Sequence, residues 1–159
     1  MTENAFTRRA ADRMQQIDFH FNVPNRSLYA CRLIKKVHAM GKRIVVWGSD
    51  EPALKKTFDD LWRFEDMTFI AHAWAGSDYE GDCSVIFSTN LDALPDADVI
   101  VLLDDNVPED WASRLARFER AVDIVSTRPD ELAAARARYR VYRDAGVTPK
   151  AYDRSRSNG

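Results

Sequence analysis

The run Ala97-Asp-Val-Ile-Val-Leu-Leu103 constrains the fold more than any other segment. A strand with one wet face alternates apolar and polar residues, and this run does not alternate from Val99 onward. Both of its faces must therefore be covered, as in the interior of a parallel sheet flanked by helices. Arg43-Ile-Val-Val-Trp47 has the same character. Parallel neighbours need long crossovers, usually helical. The chain supplies them: Arg26 to Met40 carries Leu28, Tyr29, Leu33, Val37 and Met40 at a helical period and ends at Gly41. Ser49 or Asp50 caps a second helix with Pro52 in its first turn and Leu54, Phe58, Leu61 and Trp62 along its stripe.

Further strands are expected at Gln16–Phe21, which alternates like a half-buried or edge strand, and at Met67–Ala71, Ser84–Ser88 and Arg120–Val125. A short helix is expected over 108–118, and a last one opens at Asp130. The order β-α-β-α-β-β-β-α-β-α predicts an α/β fold: one open, mostly parallel sheet with helices on both faces. With 159 residues the chain has the length of one ordinary domain. The expected division is a frayed segment 1–15, a domain 16–148 and a disordered polar tail 149–159.

Neither early strand is followed by a phosphate-binding loop. After the first the chain reads Asn22-Val-Pro-Asn-Arg26, and after the second Gly48-Ser-Asp-Glu51, whose two acids repel a pyrophosphate. No cofactor is expected. Asp104-Asp105 follows the longest strand, where a receiver-like or metal-dependent α/β enzyme would place acidic ligands. A receiver also needs an early acidic pair and a late lysine, and here Asn22 and Ser126-Thr127-Arg128 stand in those places. The expected role of Asp104 and Asp105 is a turn and a helix cap, with no metal site. Asp18 and His20 share a strand face as a conceivable acid–base pair, but His20, His38 and His72 are scattered and no nucleophile accompanies them. Catalysis is not visible.

Cys31 and Cys83 are the only thiols and lack Cys-x-x-Cys spacing, so they read as reduced cysteines of a cytoplasmic protein. No apolar run approaches the roughly 20 residues that span a bilayer, and no membrane association is expected. Formal net charge is −2, yet from Arg128 to Arg156 there are eight basic residues against four acidic ones. A discrete acidic partner fits that asymmetry better than bulk attraction to DNA.

The basic residues concentrate on the last helix. At about 3.6 residues per turn, Arg136, Tyr139, Arg140 and Arg143 share one face, with alanine and valine expected opposite, against the sheet. Arg138 lies about 200° from Arg136 around the axis and is expected to be solvated. Gly146 supplies a left-handed stop and Pro149 prevents resumption. Arginine forks bind carboxylates through paired hydrogen bonds, and a neighbouring ring packs an apolar side chain. The combination suits a peptide that is acidic and ends in a hydrophobe. A second unusual segment holds Trp62, Phe64, Phe69 and Trp74, four aromatics in thirteen residues. Together they predict an exposed aromatic patch of the kind that marks protein interfaces.

Ile17-Asp-Phe-His-Phe21, Tyr29-Ala-Cys-Arg-Leu33, Gly41-Lys-Arg-Ile-Val-Val46, Leu61-Trp62, Phe69-Ile-Ala-His72 and Ala135-Arg-Ala-Arg-Tyr-Arg-Val-Tyr-Arg-Asp-Ala-Gly146 carry a resemblance. Over residues 16–148 the chain resembles the chi subunits of bacterial DNA polymerase III holoenzyme. The resemblance implies a Rossmann-like accessory subunit of a DNA-directed DNA polymerase complex, without an active site. Members join single-stranded DNA-binding protein (SSB) to the clamp loader through a psi subunit, and meet DNA only through SSB. By position, Arg136 resembles the arginine that clamps the terminal carboxylate of the SSB tail. Tyr139 and Arg140 resemble its neighbours, Arg143 on the same stripe is expected to join them in binding the tail, and Trp62 is expected to border that pocket. Phe69, with Phe64 nearby, resembles the psi-binding aromatic. Leu132 departs from the pattern, standing where some relatives carry a basic residue.

Overall fold

A computed structural model describes residues 16–64 and 69–155. The expectations for the segment 1–15, for Met67 and Thr68 as strand residues, and for residues 156–159 lie outside the described residues. In chain order the elements are β1 (Ile17–Val23), α1 (Arg26–Ala39), β2 (Ile44–Trp47), α2 (Glu51–Trp62), β3 (His72–Trp74), β4 (Val85–Ser88), β5 (Val99–Leu102), α3 (Trp111–Arg114), β6 (Arg120–Ser126), α4 (Pro129–Asp144) and β7 (Lys150–Asp153). The strands form one seven-stranded sheet in the order β3-β4-β2-β5-β6-β1-β7. Every pairing is parallel. β5 is the middle strand and is buried throughout, as its unbroken apolar run requires.

Two clusters of buried side chains cover the two faces. On one, α1 and α2 bring Tyr29, Ala30, Cys31, Ile34, Leu54 and Leu61 onto Ile44, Val46, Val99 and Val101. On the other, Ala135 and Tyr142 of α4 and Trp111 of α3 meet Phe19, Val45, Ile100 and Leu102. Asn25 caps α1 by accepting from the Leu28 N–H, and Asp50 caps α2 by accepting from the Ala53 N–H. Gly48 permits the β2–α2 turn to pass the end of β5, since a Cβ there would lie 2.6 Å from the Leu103 carbonyl oxygen. Gly146 ends α4 at φ +90°, as its position after Ala145 predicts.

Four local expectations need correction. β1 is an inner strand, because β7 pairs along its outer side. That pairing also places Lys150–Asp153 of the expected disordered tail in the sheet. The third strand lies later than Met67–Ala71, at His72–Trp74, so Phe69 precedes it. The helix expected over 108–118 shrinks to Trp111–Arg114, because Asp110 takes a left-handed conformation at φ 53° and delays its start. Among the described residues no helix is long and apolar enough to cross a membrane.

Candidate peptide groove and aromatic edge

α4 begins with Pro129 followed by Asp130 and Glu131, whose charges suit a helix N-terminus. Ser126 ties it to β6 by donating to Glu131 Oε1 at 2.6 Å. Its inward face is Ala135, Arg138 and Tyr142, all buried, while Val141 is exposed. The expected alanine–valine face is therefore wrong in composition. So is the expectation of a solvated Arg138, which is 3% exposed. Its Nε and Nη2 donate to the two Asp123 carboxylate oxygens at 2.8 Å each, and Nη1 donates to the Asp105 carbonyl at 3.0 Å. Burial works against the guanidinium charge, but the bonds and charge of Asp123 outweigh it and hold the Arg138 pKa above its usual value. The sequence signal for this pair was Asp123 itself, an acid inside an otherwise apolar strand, which demands a buried cation.

Rotating outward from Arg138, Tyr139 is half-buried and sets its ring edge-on to Phe19, with centroids 5.6 Å apart. Arg136, Arg140 and Arg143 follow and are exposed. Beside them lies an apolar groove of about 400 Å³, lined by Phe19, Phe21, Asn22, Val125, Leu132, Ala135, Arg136, Tyr139 and Ala151. The groove owes part of its shape to β1. Asn22 adopts a left-handed φ of 63°, and the β1–β6 register slips between His20 and Val23. Such a bulge lets Phe21 and Asn22 both line the groove and returns Val23 to the opposite core. Leu132 contributes an apolar wall.

None of Arg136, Arg140 and Arg143 has a hydrogen-bonding or ionic partner among the described residues, whereas Arg26, Arg114, Arg117, Arg120, Arg128 and Arg138 all do. Three unpartnered guanidiniums beside an apolar groove can take an acidic chain with an apolar end. Charge-assisted forks hold carboxylates, and the Phe19, Phe21 and Tyr139 rings receive a hydrophobic side chain.

Trp62 does not border this groove. It packs against His72 of β3, centroids 3.9 Å apart, and against Phe69 at 5.3 Å. That is the other face and the other edge of the sheet, because α2 covers the face shared with α1 and β3 is the strand farthest from β7. Phe69 is 74% exposed and Trp62 42%, while Phe64 is partly buried against the α1–α2 core. Beneath them His72 sets its two ring nitrogens 2.8 Å from the Ile70 and Phe58 carbonyls, and the single N–H of the neutral ring donates to one of them. The aromatics thus build a platform at the β3 edge, far from α4.

The carboxyl edge of the sheet holds the residues of the rival enzymatic reading. Asp104 is buried and already engaged: Oδ1 accepts from the Ser49 N–H at 2.7 Å and the Ser49 hydroxyl at 2.6 Å, and Oδ2 accepts from the Asn106 N–H at 3.1 Å. It fastens the β2–α2 turn to the end of β5. Asp105 is exposed and 3.7 Å from the Arg26 guanidinium. Arg26 spends its other donors on the Ile124 and Asp104 carbonyls. Among the described residues no group of three or more His, Cys, Asp or Glu is arranged to hold a metal ion. Asp18 and His20 are not paired either. Asp18 meets Arg120 at 3.4 Å, and His20 Nδ1 shares a hydrogen bond with the Tyr29 hydroxyl.

Comparison with known proteins bears on these surfaces. A solved structure of an S. cerevisiae Dbp5 variant bound to RNA and ADP BeF3 superposes with a TM-score of 0.59 at 11% identity, covering 87% of this chain and 42% of that one. That likeness concerns the α/β fold alone. Sequence relationship is closer to the DNA polymerase III subunit chi of Pseudomonas aeruginosa, 27% identical over 138 residues, which covers 84% of this chain and 92% of the relative. The model of the family described as DNA polymerase III chi subunit, HolC, matches residues 14–150. That span takes in the groove except for Ala151, the aromatic platform and the whole sheet up to the first residue of β7, and the chain belongs to the DNA polymerase III chi subunit family.

Proposed function

We propose that this chain is a non-catalytic adaptor of the replication machinery that takes the acidic C-terminal tail of SSB in the α4 groove. The observation that carries the reading is the apolar groove flanked by Arg136 and Tyr139, with Arg140 and Arg143 continuing an unpartnered cationic stripe. Arg136 clamps the terminal carboxylate, the last side chain enters the groove against Phe19, Phe21 and Leu132, and Arg140 and Arg143 face the acidic residues. Contact with DNA is then indirect, through SSB.

The second surface is the Trp62–Phe69 platform, which we assign to a psi-like clamp-loader subunit together with Phe64. Exposed aromatics grouped on one edge are typical anchors of protein interfaces. Placing the two partners at opposite sheet edges lets one molecule hold both at once. An enzymatic reading through Asp104 is disfavoured because its carboxylate is consumed by Ser49 and Asn106.

The reading is tested by titrating the protein with a peptide of the SSB tail at several ionic strengths. Exposed charge pairs are screened over a Debye length of about 8 Å at physiological salt, so affinity should fall as salt rises. An affinity indifferent to salt overturns the reading.

A further inference from the structure

The groove is bounded at the sheet edge by β7, and the outer side of that strand has a property the inner strands lack. Among the described residues β7 pairs with β1 alone. Its register matches Ala151 with Phe19 and Tyr152 with His20, and the Arg154 N–H donates to the Phe21 carbonyl at 2.9 Å. Peptide groups along a strand alternate in the side they face. Because Arg154 turns its N–H to β1, Tyr152 and Lys150 do so too, and the N–H and C=O of Ala151 point away from the sheet.

Edges of this kind template a further strand unless a proline, a bulge or an obstructing charge guards them. Of the two outward-facing positions of β7, Asp153 has its carboxylate engaged by the Asn22 amide and the Ser155 N–H, and the other is an alanine. The same alanine's side chain lines the groove. One small residue thus leaves the groove open at the sheet edge and sets a donor and an acceptor, unused among the described residues, beside the opening. A chain whose end is seated against Phe19 and Phe21 leaves the groove across this edge, with Arg136, Arg140 and Arg143 along one side. We infer that the acidic tail is bound by strand addition: its end occupies the groove while the residues just before it pair in extended form with the outer edge of β7, through the Ala151 N–H and C=O.

This inference rests on the reading of the groove given above and adds how the occupant is held. In strand addition the main-chain bonds supply affinity and alternate side chains supply specificity. Only every second acidic residue then faces the α4 guanidiniums, and the residues between them face away.

The test uses the isotope-labelled full chain and a short aspartate-rich peptide ending in phenylalanine with a free carboxylate. Amide hydrogen exchange is followed by NMR with and without saturating peptide. The Ala151 amide should slow by about tenfold or more on binding, as an opening-limited bond does, while the Tyr152 amide, already bonded to β1, changes little. A series of peptides with one N-methylated amide each should show a large loss of affinity at alternate positions. If the peptide binds but Ala151 exchanges unchanged and every N-methyl position is tolerated, strand addition is wrong and the groove reading stands. If the peptide does not bind at all, the groove reading fails and this inference falls with it.

Discussion

Replacing Arg138 by alanine should cost far more than replacing its exposed neighbours on α4, and for a reason unrelated to binding. The side chain joins α4 to β6 through two 2.8 Å bonds to Asp123 and reaches the Asp105 carbonyl with a third. The Asp123 side chain is 1% exposed, so the substitution leaves a carboxylate without a partner and beyond the reach of water. Breaking one side of a buried pair costs about 3–5 kcal/mol, against a total stability of about 5–15 kcal/mol for a domain. For a chain of this length the melting temperature should fall by about 6–20 °C. Urea unfolding followed by circular dichroism measures the loss, with an unchanged slope showing that the unfolded state is the same. Arg138→Met combined with Asp123→Leu removes both charges and should recover most of it, because an apolar pair needs no counter-charge. In that double variant SSB-tail affinity should stay within about twofold, a few tenths of a kcal/mol, since Arg138 points into the sheet. A loss below about 1 kcal/mol for Arg138→Ala would mean that the pair behaves like a surface one. A double variant no better than the single one would equally refute the argument.

Three further outcomes follow from other parts of the molecule. The Tyr142 hydroxyl is buried with no hydrogen-bond partner among the described residues, and an unmet polar group costs about 1–3 kcal/mol, so Tyr142→Phe should be neutral or stabilising in urea unfolding rather than destabilising. Burial, reinforced by Arg154, Arg120 and Lys36, lowers the His20 pKa from 6.5 to about 4. Its neutral form is the one the fold favours, so this stability is fully present above pH 6.5 and drains away as pH falls toward 4. The His20 ring resonances should titrate near 4 by NMR, and a midpoint at 6.5 would contradict the burial argument. Phe69→Ala should leave the melting temperature nearly unchanged, since the ring is 74% exposed, yet weaken capture of a psi-like subunit by about 2 kcal/mol or more; calorimetry and a binding assay read the two separately.

What the sequence revealed about this fold tracks how strongly each segment's residues insist on one environment. The unbroken apolar runs of β2 and β5 admit no solution but burial on both faces, and Asp50, Gly146 and Pro149 mark helix ends by local chemistry. β7 carries no such mark: Lys150-Ala-Tyr-Asp153 is polar, and it becomes a strand only because β1 offers an edge. β3 is too short to show a period, and its residues are held by tertiary contacts between His72 and the Phe58 carbonyl. On α4 the helical period gave the grouping of Arg136, Tyr139 and Arg140, but not which arginine faces the sheet. That choice was decided by Asp123, fifteen residues earlier in the chain. The position of Trp62 relative to the groove likewise depends on sheet order, which no local pattern encodes.

The central claim, that Arg136 holds the terminal carboxylate of an acidic tail, is tested most directly by a thermodynamic cycle. Four titrations are needed: the native chain and Arg136→Ala, each with an SSB-tail peptide ending in a free carboxylate and with its C-terminal amide. Truncating one partner of a desolvated charge pair costs about 2–5 kcal/mol, and the half-open groove places the expectation at the lower end. On the native chain, amidation should weaken binding by about tenfold or more, which is 1.4 kcal/mol. On Arg136→Ala, amidation should change almost nothing, because the group that senses the carboxylate is gone. Equal losses from amidation on both proteins would contradict the account, placing the carboxylate elsewhere on the stripe.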